Sequence, residues 1–85
     1  MEDLMEDAFS DALDRVNLLP EQPTHVQLNL YGLFKQARCG DISGSRPGVF
    51  DVRGRAKYDA WASRKGMTQE DAMMTYIESA EDLGA

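Results

Sequence analysis

The segment from position 24 to position 39 has the pattern of a helix with two different faces. At about 100° per residue, one side carries an apolar stripe with the spacing of a core-facing helix. This stripe consists of Val26, Leu30, Leu33 and Ala37. The adjacent side consists of Tyr31, Phe34, Lys35 and Arg38. Aromatic rings and cations together suit an anion that carries a flat base and a phosphate. The alternative is that these aromatic residues widen the core while the cations are solvated.

Three further segments show helical spacing, and none competes with the alternating pattern of a strand. The predicted helices span about residues 3–18, 24–39, 53–64 and 68–83. Two prolines, Pro20 and Pro23, end the first helix because they cannot continue it. Thr24 and Gln27 have the spacing of a capping box at the start of the second helix, and Thr68 is a candidate N-cap of the last. The fold class is therefore predicted to be all-α, with four helices.

A long connection, GDISGSRPGVFDV, separates the second predicted helix from the third at residues 40–52. Loops of this length without secondary structure are uncommon in compact domains and are often functional. Its apolar residues Ile42, Val49 and Phe50 predict that the loop is anchored to the body of the protein.

The chain length of 85 residues predicts one small domain spanning residues 1–85. A single cysteine, Cys39, excludes an internal disulfide and suits a reducing compartment. The amino-terminal segment lacks the basic start and continuous apolar run of a signal peptide. No apolar run approaches the roughly 20 residues that a membrane span needs. We therefore expect a cytoplasmic protein without stable membrane insertion.

The net charge of -6 is unevenly distributed along the chain. Residues 1–30 carry seven acids and one arginine, and residues 67–85 carry five acids and no cation. Residues 31–66, in contrast, carry eight cations and three acids. A basic middle can attract a compact anion while acidic ends repel a long polyanion. Nucleic acid and anionic membrane surfaces are therefore predicted to be poor partners.

Catalytic motifs are missing from the sequence. The chain has one histidine, His25, which is predicted to be exposed, and Cys39 has no activating motif beside it. The glycines match neither GxGxxG nor GxxxxGK[ST], and no residues have metal-ligand spacing. We therefore predict no enzyme activity, no metal and no cofactor.

Four segments together resemble one protein family. In order they are LYGLFKQA, GD, RPGVFDVRGRAKYDAW and EDAMMTYI, at residues 30–37, 40–41, 46–61 and 70–77. They are similar to the acyl-CoA-binding proteins, also called diazepam-binding inhibitors, over about residues 9–83. This resemblance implies a four-helix bundle of up-down-down-up topology, with a long loop between helices 2 and 3.

The resemblance also implies a carrier that binds long-chain acyl-CoA esters and buffers or delivers them without changing them. Tyr31, Lys35 and Lys57 would hold the 3′-phosphate of CoA, and Phe34 would stack against adenine. Tyr76 would contact the head group. The first-helix residues that would border the adenine and the acyl chain are Ala12 and Leu13. Asn17 and Tyr58 depart from the family's usual lysine and tryptophan.

A helical module that docks a partner protein through the same stripe is the alternative from another functional class. For the carrier, the expected ligand is one acyl-CoA ester. We expect a monomer that makes transient contact with acyl-CoA-using enzymes.

Overall fold

Four α-helices and their connections account for residues 3–85, which the computed structural model describes. The helices are α1 (Leu4–Asn17), α2 (Thr24–Cys39), α3 (Val52–Ala62) and α4 (Gln69–Asp82). Each begins and ends within two residues of its predicted bounds, and no strand occurs in the described range. Within residues 3–85, no helix combines the length and apolarity needed to cross a membrane.

Side-chain caps fix the start of three helices, but not of α2. Thr68 accepts a hydrogen bond from the backbone N–H of Asp71 at 3.0 Å, as predicted for the start of α4. The capping box predicted at Thr24 is wrong, because Pro23 is the N-cap and no side chain caps α2. Pro23 has the extended backbone conformation of an N-cap, so Thr24 is already helical and its hydroxyl is not in the capping position. Gln27 instead donates to the carbonyl of Gln22 at 2.6 Å.

Helices α2 and α4 form the centre of the packing, since they lie against each other while α1 packs on α4 and α3 packs on α2. The ring of Phe9 on α1 meets that of Tyr76 on α4 edge to face, with centroids 5.3 Å apart. The buried apolar residues are Phe9, Ala12, Leu30, Leu33, Ala37, Ala72, Met73, Tyr76 and Ala80. Within the described residues the backbones of α1 and α2 stay apart, so an open groove runs between them.

Helix α3 packs on α2 and has no fully buried residue of its own. The close approach of the two helices depends on Gly32, where an added Cβ would collide with the backbone carbonyl of Ala60. Because Gly32 follows Tyr31 directly, this contact brings the aromatic and basic face of α2 against α3.

The loop between α2 and α3 is held by polar contacts, and the predicted apolar anchoring is wrong for two of its three residues. Val49 and Phe50 are exposed, and Ile42 is half-buried. The carbonyl of Gly40 accepts a hydrogen bond from Nε1 of Trp61 at 2.8 Å. Arg55 donates to the carbonyl of Pro47 and Tyr58 to that of Gly44. From the loop, Arg46 donates to the carboxylate of Asp59 on α3. A glycine-rich segment exposes its backbone carbonyls, and α3 supplies most of the donors that satisfy them.

Asp41 joins the start of this loop to the turn before α4. Its carboxylate accepts hydrogen bonds from the backbone N–H of Gly66 at 2.8 Å and from the buried amide of Gln36 at 2.9 Å. The same amide donates to the carbonyl of Met67 at 2.7 Å. The hydrogen bond from Gly66, followed by that from Gln36, lowers the pKa of Asp41 below its usual value of 3.8. The aspartate therefore acts as a structural link.

Candidate functional site: two grooves that meet at Tyr31

Two lysines and two aromatic rings form reciprocal pairs across α2 and α3. Nζ of Lys35 on α2 lies 4.7 Å from the ring centroid of Trp61 on α3. Nζ of Lys57 on α3 lies 5.3 Å from the ring centroid of Tyr31 on α2. Each pair is a cation–π contact, which holds the ammonium group in place without neutralising its charge. Among residues 3–85, neither lysine forms an ion pair with an acid. The junction therefore presents two uncompensated positive charges.

The first groove, between α1 and α2 and floored by α4, has a volume of about 550 Å³ and is called the α1–α2 groove here. It is lined by Ser10, Leu13, Asp14, Val16, Asn17, Gln27, Leu30, Tyr31, Phe34, Arg38 and Tyr76. Four of the predicted site residues are thus in its lining: Leu13, Tyr31, Phe34 and Tyr76. Its single lining cation is Arg38, whose guanidinium carbon lies 5.9 Å from the ring centroid of Phe34.

Tyr76 lies at the floor of the α1–α2 groove, where its hydroxyl is available for hydrogen bonding. Its side chain is 4% exposed, and burial raises the pKa of its hydroxyl, so the group is neutral at physiological pH. The hydroxyl forms no hydrogen bond within the described part of the chain. Although most of the residue is buried, the hydroxyl oxygen is not fully enclosed, so it is available to a ligand in the groove.

Lys35 lines neither groove, and Ala12 is the predicted site residue that lies wholly buried in the core. Its exposure is 0%, and it packs beneath the lining with Phe9 and Tyr76. Leu13, its neighbour, is half-buried and does reach the lining. The apolar face of α1 is therefore divided between the core and the groove.

The second groove, between α2 and α3, has a volume of about 760 Å³ and is called the α2–α3 groove here. Its lining consists of Glu21, Thr24, Gln27, Leu28, Tyr31, Val52, Arg53, Ala56 and Lys57. Tyr31 and Gln27, one turn apart on α2, line both grooves, so the two meet along this part of the helix. Sequence reasoning missed the apolar contributors Leu28, Val52 and Ala56. The available signal was Leu28, an apolar residue outside the core stripe of α2, which indicates a second apolar surface on this helix.

Other candidates from the sequence lie away from both grooves. His25 is exposed, as predicted, and Cys39 is exposed at the end of α2. Tyr58 donates a hydrogen bond to the carbonyl of Gly44 and so serves the loop. No group of His, Cys, Asp and Glu side chains in residues 3–85 is arranged to hold a metal ion.

Comparison with known proteins identifies the family. Residues 6–80 match the family model described as acyl-CoA-binding protein. The chain belongs to the acyl-CoA-binding protein family. The castor bean (Ricinus communis) acyl-CoA-binding protein is 41% identical over 80 residues, which cover 93% of this chain and 89% of that protein. Acyl-CoA-binding protein homolog 1 of Caenorhabditis elegans is 40% identical over 77 residues, which cover 89% of this chain and 90% of that protein.

One relative is much longer, and two are known as structures. Rice (Oryza sativa) acyl-CoA-binding domain-containing protein 3 is 42% identical over 93% of this chain, which spans about half (52%) of that protein. The crystal structure of rice acyl-CoA-binding protein 2 matches with a TM-score of 0.91 and 35% identity, over 93% of this chain and 89% of that one. The family protein from Moniliophthora perniciosa matches with a TM-score of 0.82 and 39% identity, over 87% and 74% of the two chains. The predicted family and four-helix bundle are confirmed.

Proposed function

We propose that this chain is a single acyl-CoA-binding domain that binds long-chain acyl-CoA esters and buffers or carries them without chemical change. The observation that carries the proposal is a pair of lysines on facing helices, Lys35 over Trp61 and Lys57 over Tyr31, neither of which has an acidic partner among residues 3–85. An acyl-CoA ester has a compact phosphorylated head and a long apolar tail. Binding such a ligand requires a fixed anion site for the phosphate, one groove for the rest of the head and another groove for the acyl tail.

The 3′-phosphate belongs at the lysine junction. Two ammonium groups and a phenol hydroxyl offer charge-assisted hydrogen bonds, and lysine is a compact point charge that suits a terminal phosphate. A third groove, at the amino-terminal ends of α1 and α4, would repel a phosphate. Its lining includes four acids, Asp3, Glu6, Asp7 and Glu70.

The adenine belongs in the α1–α2 groove, where Phe34 offers an aromatic face. Leu13 borders the same space from α1, and the hydroxyl of Tyr76 is free to bond a polar atom of the head group. Ala12 is left out of the proposed contacts because it is fully buried. Its role is to pack α1 on α4 beneath the groove.

The acyl chain belongs along the α2–α3 groove, on the other side of Tyr31. Leu28, Val52 and Ala56 provide apolar surface there, and Lys57 marks the end nearest the phosphate site. Each methylene buried in such a groove contributes about 0.8 kcal/mol. A long tail would therefore add substantially to the affinity of the head.

We also propose that the protein works as a cytoplasmic monomer that meets acyl-CoA-using enzymes transiently. The exposed free thiol of Cys39 suits a reducing compartment.

Native mass spectrometry tests the proposed function directly. Ligand-free protein mixed with equimolar palmitoyl-CoA should gain the mass of one intact ester per chain, and the ester should be recovered unhydrolysed. Palmitate alone should give no comparable adduct, because it lacks the phosphate. An absence of the ester adduct at micromolar concentration would refute the carrier and favour the docking module.

A further inference from the structure

Three large apolar side chains are exposed together where the long loop enters α3. Val49 is 63% exposed, Phe50 98% and Val52 74%, and we call these three residues the 49–52 patch. Single exposed apolar residues are ordinary on a protein surface. A cluster within four residues that includes a fully exposed phenylalanine is not, and such clusters mark sites of interaction.

The loop is held so that its polar backbone faces the protein and these side chains face outward. Nε of Arg55 donates to the carbonyl of Pro47 at 3.0 Å, and the N–H of Asp51 donates to the carbonyl of Gly48 at 3.0 Å. The carboxylate of Asp51 in turn accepts from the N–H of Gly54 at 2.9 Å. The exposure of the patch is therefore a property of an ordered turn and not of a loose segment.

The segment that carries the 49–52 patch is basic. Between positions 46 and 57 it has four cations, Arg46, Arg53, Arg55 and Lys57, of which Arg46 is paired with the carboxylate of Asp59 at 2.7 Å. The single acid in this interval, Asp51, caps α3. The acidic segments 1–30 and 67–85 carry the opposite charge. An anionic surface would attract the face with the patch and repel the rest, and so would orient the molecule.

We propose that the 49–52 patch docks the protein reversibly on the headgroup layer of an anionic lipid bilayer. Phe50 and the two valines enter the interface, while the exposed guanidinium of Arg53 meets lipid phosphates. A stable protein partner would need about 800 Å² on each side, more than three side chains provide. The expectation that anionic membranes are poor partners came from the charge of the whole chain, whereas docking depends on the charge of this face.

Docking at this patch would also place the α2–α3 groove at the membrane. Val52 belongs both to the patch and to the lining of that groove, and Arg53 lines it beside Val52. Bilayer binding can be tested separately from acyl-CoA binding, because it is measured with ligand-free protein.

Vesicle co-sedimentation tests the proposal with ligand-free protein. Vesicles of dioleoylphosphatidylcholine with one-third dioleoylphosphatidylglycerol should bind the wild-type chain, and pure phosphatidylcholine vesicles should bind it more weakly. Phe50→Ala should lower the partition coefficient about tenfold, because the interface no longer buries the ring. Arg53→Gln should lower it about fivefold on the anionic vesicles. Leu18→Ala is the matched control, since Leu18 is 85% exposed at the end of α1 and lies outside the patch.

Several outcomes would overturn membrane docking. One is that wild-type protein fails to bind the anionic vesicles, and another is that Leu18→Ala loses as much binding as Phe50→Ala. A dimer in sedimentation velocity that disappears in Phe50→Ala would assign the patch to a second copy of the chain. Calorimetry with palmitoyl-CoA should give equal affinities for wild-type and Phe50→Ala. A large loss there would assign the ring to the ligand site. Circular dichroism verifies that each variant is folded.

Discussion

Replacing Lys35 with alanine gives the sharpest test of the proposed phosphate site. Its ammonium lies over Trp61 and is joined at the groove junction by that of Lys57 over Tyr31. A charge-assisted hydrogen bond contributes about 1.5 to 3 kcal/mol net, so Lys35→Ala should weaken palmitoyl-CoA binding about 10- to 150-fold. The side chain is only half-buried, and solvent screening favours the lower half of that range.

A double-mutant cycle between protein and ligand separates a direct contact from a general effect of charge. Isothermal titration calorimetry would measure palmitoyl-CoA and its 3′-dephospho form with wild-type and Lys35→Ala proteins. If Lys35 holds the 3′-phosphate, the penalty for removing that phosphate should be much smaller in the variant. Lys65→Ala removes the same charge from an exposed position in the turn before α4 and is the matched control. Equal dephospho penalties in the two proteins, or an equal loss in Lys65→Ala, would refute the assignment.

Three further predictions concern stacking, helix contact and pH. Phe34→Ala should cost about 1 to 3 kcal/mol of ligand binding by calorimetry, while Phe34→Tyr keeps the ring and should retain most of the affinity. Gly32→Ala should lower the free energy of unfolding, measured in urea, by about 1 to 3 kcal/mol. The clash with the carbonyl of Ala60 outweighs the better helix propensity of alanine. If the variant lost no stability, α3 would be free to shift away from α2. Asp41 has a lowered pKa, so its stabilisation is present above pH 3.8 and lost as pH falls through the folded value. Asp41→Asn should therefore destabilise the protein at pH 7, and the difference from wild-type should shrink below pH 3.8. A difference independent of pH would exclude the carboxylate charge as its cause.

The helices could be predicted from the sequence because their apolar spacing and their terminators are local. The start of α2 shows the limit of that reasoning. Thr24 and Gln27 have the spacing of a capping box, but the preceding Pro23 already has the extended conformation that an N-cap requires. Thr24 and Pro23 were both candidates for the N-cap of α2, and the backbone conformation of the proline makes Pro23 the N-cap.

The loop could not be predicted in the same way, because its contacts are distant in sequence. Burial of Val49 and Phe50 was the natural expectation for apolar residues in a small domain with little core. In the structure, donors on α3 such as Trp61 and Arg55 form hydrogen bonds with backbone carbonyls of the loop. The cost of unpaired carbonyls fixes the course of the loop, and the apolar side chains are left outside.

The candidate site was partly visible in the sequence. Helical spacing placed Tyr31 and Lys35 on one face of α2, but it could not show that Lys57 would lie against Tyr31. That expectation came from the family resemblance. The physical signal for the convergence is Gly32, which permits a close approach to α3 at this turn. Ala12 shows the opposite case, since it shares the apolar face of α1 with the buried Phe9. That spacing favoured burial over contact with a ligand.

The position of α3 depends on the same contacts with α2 that create the site. This helix packs on α2 and buries no side chain completely, so the apolar contribution to its position is small. Its two cation–π contacts with α2, through Lys35 and Lys57, leave one cation on each helix without an acidic partner in the described residues. An anion bound by both lysines would be attracted to both helices. By linkage, a ligand that binds only when α2 and α3 are together stabilises their contact. The proposed acyl-CoA ester would therefore complete the packing of α3 as well as occupy the site.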